Sequence, residues 1–430
     1  MRQLAADPQA VRAYGSALAA DWLAGASGGL PSVDGHVKAC TGKGRLPRHF
    51  VARLKLSRPA AAAYWIHAAG GQPLLCVPLQ VDPGLVQAVE SAVLPQLEAA
   101  GLERRPDLTA GGGEPDVTLA FDREGWSPEQ FLRLAREGVA CITWRKGTAG
   151  PDWPASEFEL FRAVPLSTPG GERPVDLRLA ERSVAELPAA PDSWEPALEL
   201  REIRLLDAEG RQLAIVTTHP DLPREAVAAA LKSRWSQEEF FKYARAEFGL
   251  DSLPEHLLEP VDPETEVRNP AWSELDRDLN RGRGKRATRR DQEARADRKA
   301  RALRQESQRA KGRAAARLAE RADKWRAKAR RYREEAAALD TAAAVPAERR
   351  RSTPKRIKAR EIEEGRRYEA LPEPLRELTL NLKMIACRAE TEMLALGRDG
   401  REGKPLLEEL NASRTVYPGT DLRLVYELVG

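Results

Sequence analysis

Residues 117–144, VTLAFDREGWSPEQFLRLAREGVACITW, contain the pattern that decides the fold class. The apolar run Val117–Phe121 predicts a buried strand, and the strand ends at Asp122. Ser127, with a proline after it and a glutamine three residues on, has the pattern of a helix N-cap. A glycine ends that helix, and the next apolar run, Val139–Trp144, predicts a second strand. Strand, helix and strand in this order predict an α/β fold.

Upstream of this stretch, short alternating segments predict three strands. The first covers Ser32–Lys38, the second covers His49–Leu56, and the third forms a hairpin around Gly70-Gly71. A helical pattern follows over 83–100. Downstream, residues 150–220 predict a β-rich insert, and a single helix is predicted from Pro223 to about Phe248.

Charge is distributed unevenly along the chain. The formal net charge is only +4, but residues 281–360 hold 29 Lys or Arg against 10 Asp or Glu. The other 350 residues hold 40 basic and 55 acidic side chains. A strongly basic segment favours a polyanionic partner such as nucleic acid, although an exposed, charge-rich helix would look the same. Because its apolar residues are mostly Ala, we do not expect this helical segment to form a stable coiled coil.

Composition excludes several classes of protein. No apolar run is long enough to span a membrane. The four cysteines are widely separated, which argues against a disulfide scaffold or a zinc finger and suits a reducing cytoplasm. We therefore expect a cytoplasmic protein without a membrane partner.

Three carboxylates on different elements are candidates for metal-dependent chemistry. Asp34 lies on the first strand, Asp122 ends the fourth, and Glu238 lies in the helix after the insert. If the fold brings them together, three carboxylates can hold two divalent ions roughly 4 Å apart, as in phosphoryl transfer. The alternative is that they are three ordinary acids among the 65 in the chain.

The helix around Glu238 adds cations to this interpretation. At 3.6 residues per turn, Arg234, Lys242 and Arg245 share one stripe with Glu238, whereas Glu239 is rotated by about 100°. A carboxylate between cations suits a metal ligand with phosphate-binding neighbours. A simple ladder of i,i+4 ion pairs would produce the same spacing.

This helix resembles the Tyr-x2-Arg-x3-Glu-x6-Lys signature of bacterial insertion-sequence DDE transposases. Its four positions are Leu231, Arg234, Glu238 and Arg245 here, so two match, one keeps its charge and the tyrosine is lost. Other stretches resemble the same family, namely Val33–Val37, Phe121–Ser127, Trp144–Gly147 and Asn269–Trp272. The resemblance covers about residues 30–275 well and the rest loosely, and the chain has only about thirty residues before the first aspartate. In such a family a separate DNA-binding domain usually precedes the core, so this chain is expected to be short at its N-terminus.

The resemblance implies a ribonuclease H-like mixed sheet with a β-rich insert, followed by a long basic helical region. It implies cleavage and transfer of DNA strands at the ends of a mobile element, with two Mg²⁺ or Mn²⁺ ions bound by Asp34, Asp122 and Glu238. The DNA contacts expected from the resemblance and the basic stretches are Arg234, Lys242, Arg245, Arg145 and Lys146.

The expected partner is double-stranded DNA, both element ends and target, bound by a homodimer near the bacterial nucleoid. Three alternatives stay open: a catalytically dead DNA-binding derivative, a ribonuclease H-like nuclease without transposition, and a coiled-coil interaction protein. The predicted division of the chain is a short lead (1–29), the first part of the core (30–149), the insert (150–220), the last core helix (221–275), the basic helical segment (276–365) and a small C-terminal unit (366–430).

Overall fold

The structure is a computed structural model. It describes residues 3–25, 30–42, 44–102, 107–110, 114–115, 117–147, 150–168, 171–188, 196–252, 257–364 and 367–396. The chain forms two compact units, one of which combines Met1–Glu259 with the chain from Glu369 onward, while the other is Pro260–Tyr368. Apolar residues alternate over 421–430, which predicts an edge strand, and this stretch lies outside the described residues.

The first unit is built on strands and helices that alternate along the chain. Its strands are β1 (Ser32–Ala39), β2 (Arg48–Val51), β3 (Leu56–His67), β4 (Pro73–Leu79), β5 (Val117–Phe121), β6 (Val139–Trp144), β7 (Glu159–Thr168), β8 (Gly171–Pro188), β9 (Pro196–Leu206) and β10 (Gln212–Thr217). Its helices are α1 (Pro8–Gly25), α2 (Leu85–Ala88), α3 (Leu94–Ala99), α4 (Pro128–Arg136), α5 (Arg224–Ser233), α6 (Trp235–Glu247) and α9 (Glu373–Leu396), and a π-helical segment, Val89–Val93, joins α2 to α3.

The strands form one ten-stranded mixed sheet in the order β2-β3-β1-β5-β6-β10-β9-β8-β7, with β4 paired to β3. β1 is antiparallel to β3 but parallel to β5, and β5 is parallel to β6. The α/β class predicted from the sequence is confirmed at this level. The predicted β-rich insert supplies β7 to β10 and extends the same sheet, because β10 pairs with β6.

The central strands of this sheet are buried on both faces. Successive strand residues point to opposite sides, and each side packs into its own apolar cluster. Leu119 and Phe121 belong to one apolar cluster, which also receives residues of α4, α6 and α9. Ala120 and Ile142 belong to a second cluster, which is covered by α5. The result is a central sheet with helices on both sides, which leaves the ends of the strands as the accessible places for a site.

Two segments far apart in sequence complete the first core. α1 lies in the stretch that was expected only to lead into the core, and Trp22 of α1 is buried in the first cluster. α9 packs on β4 and α1, and its buried Arg376 donates hydrogen bonds to the carbonyls of Ala62 (2.8 Å) and Leu79 (3.1 Å).

Two predictions of element bounds are wrong. The predicted single strand over 49–56 is two strands, because a 3₁₀ turn at Ala52–Leu54 and a left-handed Lys55 (φ 51°) separate β2 from β3. The predicted single helix from Pro223 is interrupted at Arg234, which ends α5 and precedes α6.

The second unit is an antiparallel pair of long helices with a short β ladder. Its helices are α7 (Pro270–Arg309) and α8 (Gly312–Ser352), and its strands are β12 (Glu266–Arg268) and β13 (Arg356–Lys358), while β11 (Glu259–Pro260) and β14 (Glu369–Ala370) lie at its boundaries. Across the described helices of the whole chain, none combines the length and the apolar character that a membrane crossing needs.

Contrary to the expectation from composition, α7 and α8 do pack along their length. Ala322, Ala329 and Ala336 of α8 are buried at intervals of seven residues, and they face Ala296 and Ala300 of α7 across a seam of small side chains. Small residues let the two helix backbones approach closely, so the seam needs few large apolar side chains. Ion pairs flank the seam, including Arg289–Glu335 (2.8 Å), Arg333–Glu293 (2.6 Å) and Arg350–Asp276 (2.6 Å).

Candidate active site

Two aspartates follow one register pair of the parallel strands β1 and β5. Val33 of β1 pairs with Phe121 of β5, so the next residues along the two strands are Asp34 and Asp122. Burial, together with the negative charge of Asp122, raises the pKa of Asp34 from 3.8 to about 6, although the charge of Arg234 opposes this rise. A buried carboxylate beside a second carboxylate is an arrangement that favours either a proton or a cation. The structure therefore brings together two of the three predicted carboxylates.

Arg234 is the cation nearest to this pair. Its Nη2 atom lies 3.7 Å from Oδ1 of Asp34, and the two side chains are only 12% and 27% exposed. The same Oδ1 accepts a hydrogen bond from the backbone N–H of Gly35 (2.9 Å). Arg234 lies at the junction between α5 and α6, where its backbone keeps right-handed helical dihedral angles (φ −56°, ψ −21°).

Asp122 is held in place by the turn that follows β5. Its side chain accepts a hydrogen bond from the backbone N–H of Glu124 (2.8 Å) and caps the short 3₁₀ helix Arg123–Gly125. Its carbonyl accepts a hydrogen bond from Oγ1 of Thr143 on β6 (2.7 Å). The carboxylate thus has a fixed direction, and one of its oxygens is engaged by the backbone.

Two further carboxylates near this end of the sheet were missed in the sequence. Burial raises the pKa of Glu124, and the charges of Asp122 and Asp82 raise it further, whereas the charge of Lys146 lowers it. Glu124 could have been noticed because it lies two residues after Asp122 in the same turn. Asp82 follows β4 and accepts a hydrogen bond from Oη of Tyr64 (2.6 Å), a contact that only the tertiary fold creates.

Glu238, the third predicted carboxylate, is exposed on α6. The neighbouring Gln237 points inward, where its amide nitrogen donates to the carbonyl of Ser32 (3.1 Å) and lies 2.9 Å from Nδ1 of His67. Gln237 thus anchors α6 to β1 and β3 two residues before Asp34 on β1. Within the described residues, no three His, Cys, Asp or Glu side chains form a group that could hold a metal ion.

The other predicted DNA-contacting cations have different surroundings. Arg145 forms an ion pair with the buried Glu202, so its charge is used inside the fold. Lys146 is exposed and influences Glu124, as noted above. Lys242 is exposed and pairs with Glu239 at 3.5 Å.

A histidine–aspartate pair lies further along β1. Nε2 of His36 is 2.9 Å from Oδ1 of Asp251, and the imidazole ring stacks on Phe241 with 4.9 Å between ring centroids. Burial alone would raise the pKa of Asp251, but His36, Arg53 and Arg245 together hold that pKa below its usual value. The charge of Arg245 therefore acts on Asp251 in this structure.

The sequence was compared with models of known protein families. A family model described as "Transposase protein" matches residues 14–399, which is most of the chain. The chain belongs to this transposase family. No curated protein matches the sequence.

The family match extends across both compact units and includes Asp34, Asp122, Glu238 and the whole α7–α8 hairpin. The expectation of a transposase is thereby confirmed, and the family points to an enzyme that processes DNA. For this transposase, Asp34 near the start of β1 and Asp122 directly after β5 are the best candidates for the catalytic site.

Proposed function

We propose that this transposase is of the DDE type and that it cleaves and transfers DNA strands at the ends of a mobile element. The observation that carries the proposal is the placement of Asp34 and Asp122 directly after paired residues of two parallel strands. The order of elements supports a ribonuclease H-like core, because the strand that bears Asp34 and the strand that bears Asp122 are neighbours in the mixed sheet.

The donor atoms of this site fit a divalent cation. Mg²⁺ and Mn²⁺ prefer oxygen ligands, and the two aspartates supply carboxylate oxygens. Burial and the charge of Asp122 make the ionised form of Asp34 less favourable than that of a free aspartate, and a cation bound between the two carboxylates would relieve this. When bound, two such ions would stabilise the attacking and leaving oxygens of phosphoryl transfer. Glu238 is proposed as the third ligand on the strength of the sequence resemblance.

The chain's own residues have separate tasks in this proposal. The backbone N–H of Glu124 and the hydroxyl of Thr143 hold Asp122 in its direction. Arg234, which lies beside Asp34, is placed to contact a phosphate of the cleaved strand once that strand enters. Lys146 offers a second, exposed cation at the same end of the sheet.

A nicking assay tests the carboxylates. The substrate is a supercoiled plasmid that carries the DNA flanking the gene, incubated with millimolar Mg²⁺ or Mn²⁺. We expect Asp34→Asn, Asp122→Asn and Glu238→Gln each to lower the nicking rate by at least about 10²-fold, because an amide cannot replace a charged metal ligand. Glu239→Gln is the matched control for Glu238→Gln and should keep most of the activity.

Each outcome of the nicking assay has a definite meaning. Equal activity of Glu238→Gln and Glu239→Gln would show that the third ligand is a different acid. An undiminished rate in Asp34→Asn would refute the DDE proposal. If the wild type binds DNA but does not nick it, the chain is a DNA-binding derivative, and nicking without joining would indicate a nuclease that does not transpose.

Metal binding has a readout that is independent of activity. Mg²⁺ should raise the melting temperature of the wild type, since a ligand that binds only the folded state stabilises it. The same titration should have little effect on Asp34→Asn. Equal shifts in the two proteins would place the metal elsewhere.

Duplex DNA is the proposed partner, and the α7–α8 hairpin is its proposed non-specific contact. Residues 290–334, the distal part of this hairpin, contain 17 Lys or Arg and 7 Asp or Glu. Aromatic side chains are rare there, which favours contacts to the phosphate backbone over base stacking. Six to ten phosphate contacts would reduce affinity by about 10³–10⁵ between 50 and 200 mM salt. We also propose that the protein acts as a homodimer on DNA.

A shortened hairpin tests this contact. Replacing residues 290–334 by a short Gly/Ser linker keeps the pair Arg289–Glu335 at the new end, because these side chains already lie 2.8 Å apart. The affinity of this shortened protein for duplex DNA should fall strongly, and so should the slope of log affinity against log salt. The full-length variant Arg313→Gln/Arg317→Gln/Arg321→Gln removes three exposed charges without shortening the hairpin. Its slope of log affinity against log salt should fall by up to about 2.7. An unchanged slope in the shortened protein would show that the hairpin does not bind DNA.

A further inference from the structure

A second region without acidic residues lies in the first unit. From Gly35 to Val81, 47 residues contain seven Lys or Arg and no Asp or Glu. The chain outside 281–360 is otherwise rich in acids, so this region is a local exception. Four of its cations, Arg48, Arg53, Lys55 and Arg58, lie on the hairpin formed by β2 and β3.

The tip of this hairpin extends away from the packed core. All residues from Ala52 to Arg58 are exposed, and β2 is the terminal strand of the sheet order. The left-handed conformation of Lys55 closes the turn, and Arg48 stabilises the ladder by donating from Nη2 to the carbonyl of Ser57 (2.6 Å). Arg53 lies 3.1 Å from Asp251, whereas no ion pair of Lys55 or Arg58 is found in the described part of the chain.

Large apolar side chains accompany these cations. Phe50, Leu54 and Leu56 are 64%, 43% and 53% exposed, respectively. A simpler explanation for cations on an edge strand is that they prevent this strand from pairing with the edge strand of another molecule. That role does not call for exposed Phe and Leu side chains, which would promote association. Exposed apolar residues beside cations are instead typical of proteins that press apolar side chains against bases and hold the flanking phosphates.

The hairpin is connected to the candidate active site through one strand. Trp65 of β3 pairs with Asp34, and Leu56 lies nine residues earlier on the same strand. At about 3.3 Å per residue, this separation is about 30 Å. Duplex DNA rises about 3.4 Å per base pair, so a duplex that runs along β3 with its cleaved phosphodiester at Asp34 would meet the tip about nine base pairs away.

We propose that the β2–β3 hairpin is a second DNA-contacting element. Lys55 and Arg58 bind phosphates, while Leu54 at the turn and Leu56, which shares a face of β3 with Arg58, contact a base step that they help to open. This inference rests on the proposed function for the identity of the polyanion. It adds a contact surface that belongs to the catalytic unit and not to the α7–α8 hairpin.

The charge contribution is tested first, with the full chain and a duplex of any sequence. Lys55→Gln/Arg58→Gln should lower the slope of log affinity against log salt by about two, because each phosphate contact contributes about 0.9. The loss of affinity between 50 and 200 mM salt then becomes about twelvefold smaller. Arg162→Gln/Arg173→Gln, two exposed arginines on β7 and β8, is the matched control and should keep the wild-type slope. An unchanged slope in the hairpin variant would overturn the proposal.

The apolar contribution is tested with a duplex that contains 2-aminopurine, whose fluorescence rises when its base unstacks. Binding of the wild type should raise this fluorescence, whereas Leu54→Ser and Leu56→Ser should remove the increase. Leu213→Ser, which changes a leucine that is 42% exposed on β10, should retain it. An equal increase in all four proteins would refute base contact. These substitutions are at exposed positions, so the fold is expected to survive them, and a circular dichroism melt verifies this.

The two proposals can fail separately. If no nicking is detected but the hairpin variants weaken DNA binding as described, the hairpin proposal stands and the DDE proposal falls. If nicking depends on Asp34 but the hairpin variants bind DNA like the wild type, the reverse holds. If the hairpin variants lose affinity for phosphatidylserine vesicles and not for DNA, the hairpin is a membrane contact and the proposal is wrong.

Discussion

Replacing Asp34 by asparagine should change the pH dependence of stability, and the size of the effect follows from the pKa. Burial and the charge of Asp122 raise the pKa of Asp34 from 3.8 to about 6 in the folded protein. The folded state therefore holds this proton more tightly than the unfolded state does. Between about pH 4 and pH 7 the contribution of Asp34 to stability falls as pH rises, because a group lowers the free energy of unfolding with rising pH wherever the folded state binds its proton more tightly.

The asparagine variant lacks this titration. Between pH 5 and pH 7.5 the two pKa values correspond to a loss of about 1.4 kcal/mol in the wild type that the variant does not share. The side chain of Asp34 is 27% exposed, and screening by water makes this figure an upper value. The free energy of unfolding of Asp34→Asn minus that of the wild type should thus increase by about 1 kcal/mol from pH 5 to pH 7.5.

Urea unfolding followed by tryptophan fluorescence measures this difference. Trp65 is buried in the core of the first unit, and only Trp272 and Trp325 of the nine tryptophans lie in the second unit, so most of the signal comes from the unit that contains the site. Asp21→Asn, at an exposed position on α1, is the control and should run parallel to the wild type over the same pH range. Asp122→Asn should shrink the effect, because it removes one of the two influences that raise the pKa. A constant difference between Asp34→Asn and wild type from pH 5 to pH 7.5 would refute the burial argument.

Two further predictions concern packing. Gly125→Ala should destabilise the first unit by about 1–3 kcal/mol in urea unfolding, because the added Cβ would lie 2.2 Å from Cδ2 of the buried Phe121. Gly42→Ala, where no atom lies within 4 Å of the new Cβ, should be nearly neutral, and equal effects would contradict the packing argument. Ala329→Leu should lower the melting temperature of the α7–α8 hairpin measured at 222 nm, since the seam has no room for a larger side chain. Its control Ala327→Leu, at an exposed position, should melt like the wild type.

Local patterns in the sequence were sufficient for the strand–helix–strand stretch around Asp122. The predicted cap forms as expected, because Oγ of Ser127 accepts a hydrogen bond from the backbone N–H of Gln130 (3.3 Å). The approach of Asp34 to Asp122 was predicted from the order of elements, and it depends on only two register pairs between β1 and β5.

The interruption at Arg234 could not be predicted, because the helical pattern continues through it. Just after the break, a tertiary contact holds Gln237 inward, where its amide meets the carbonyl of Ser32 and the ring of His67. The predicted stripe of Arg234, Glu238, Lys242 and Arg245 therefore starts at the junction between α5 and α6 and does not run along one straight helix. Glu238, predicted from that stripe to face the site, is exposed for the same reason. The packing of α7 on α8 was missed because alanine carries little hydrophobic signal, although it packs closely between helices.

The position of α9 in the core has a consequence for the synthesis of the protein. α9 packs on β4 and α1, but it is separated from the rest of the first unit by the whole of Pro260–Tyr368. At about 5–20 residues per second, a ribosome needs roughly 7–27 s to proceed from residue 259 to residue 396. During that interval the surface that α9 later covers, including the ring of Trp22 beneath Arg388, has no cover from this helix. A premature stop codon in the α7–α8 region would make that state permanent, so chaperones and proteases would meet an incomplete catalytic unit even though every candidate active-site residue had been translated.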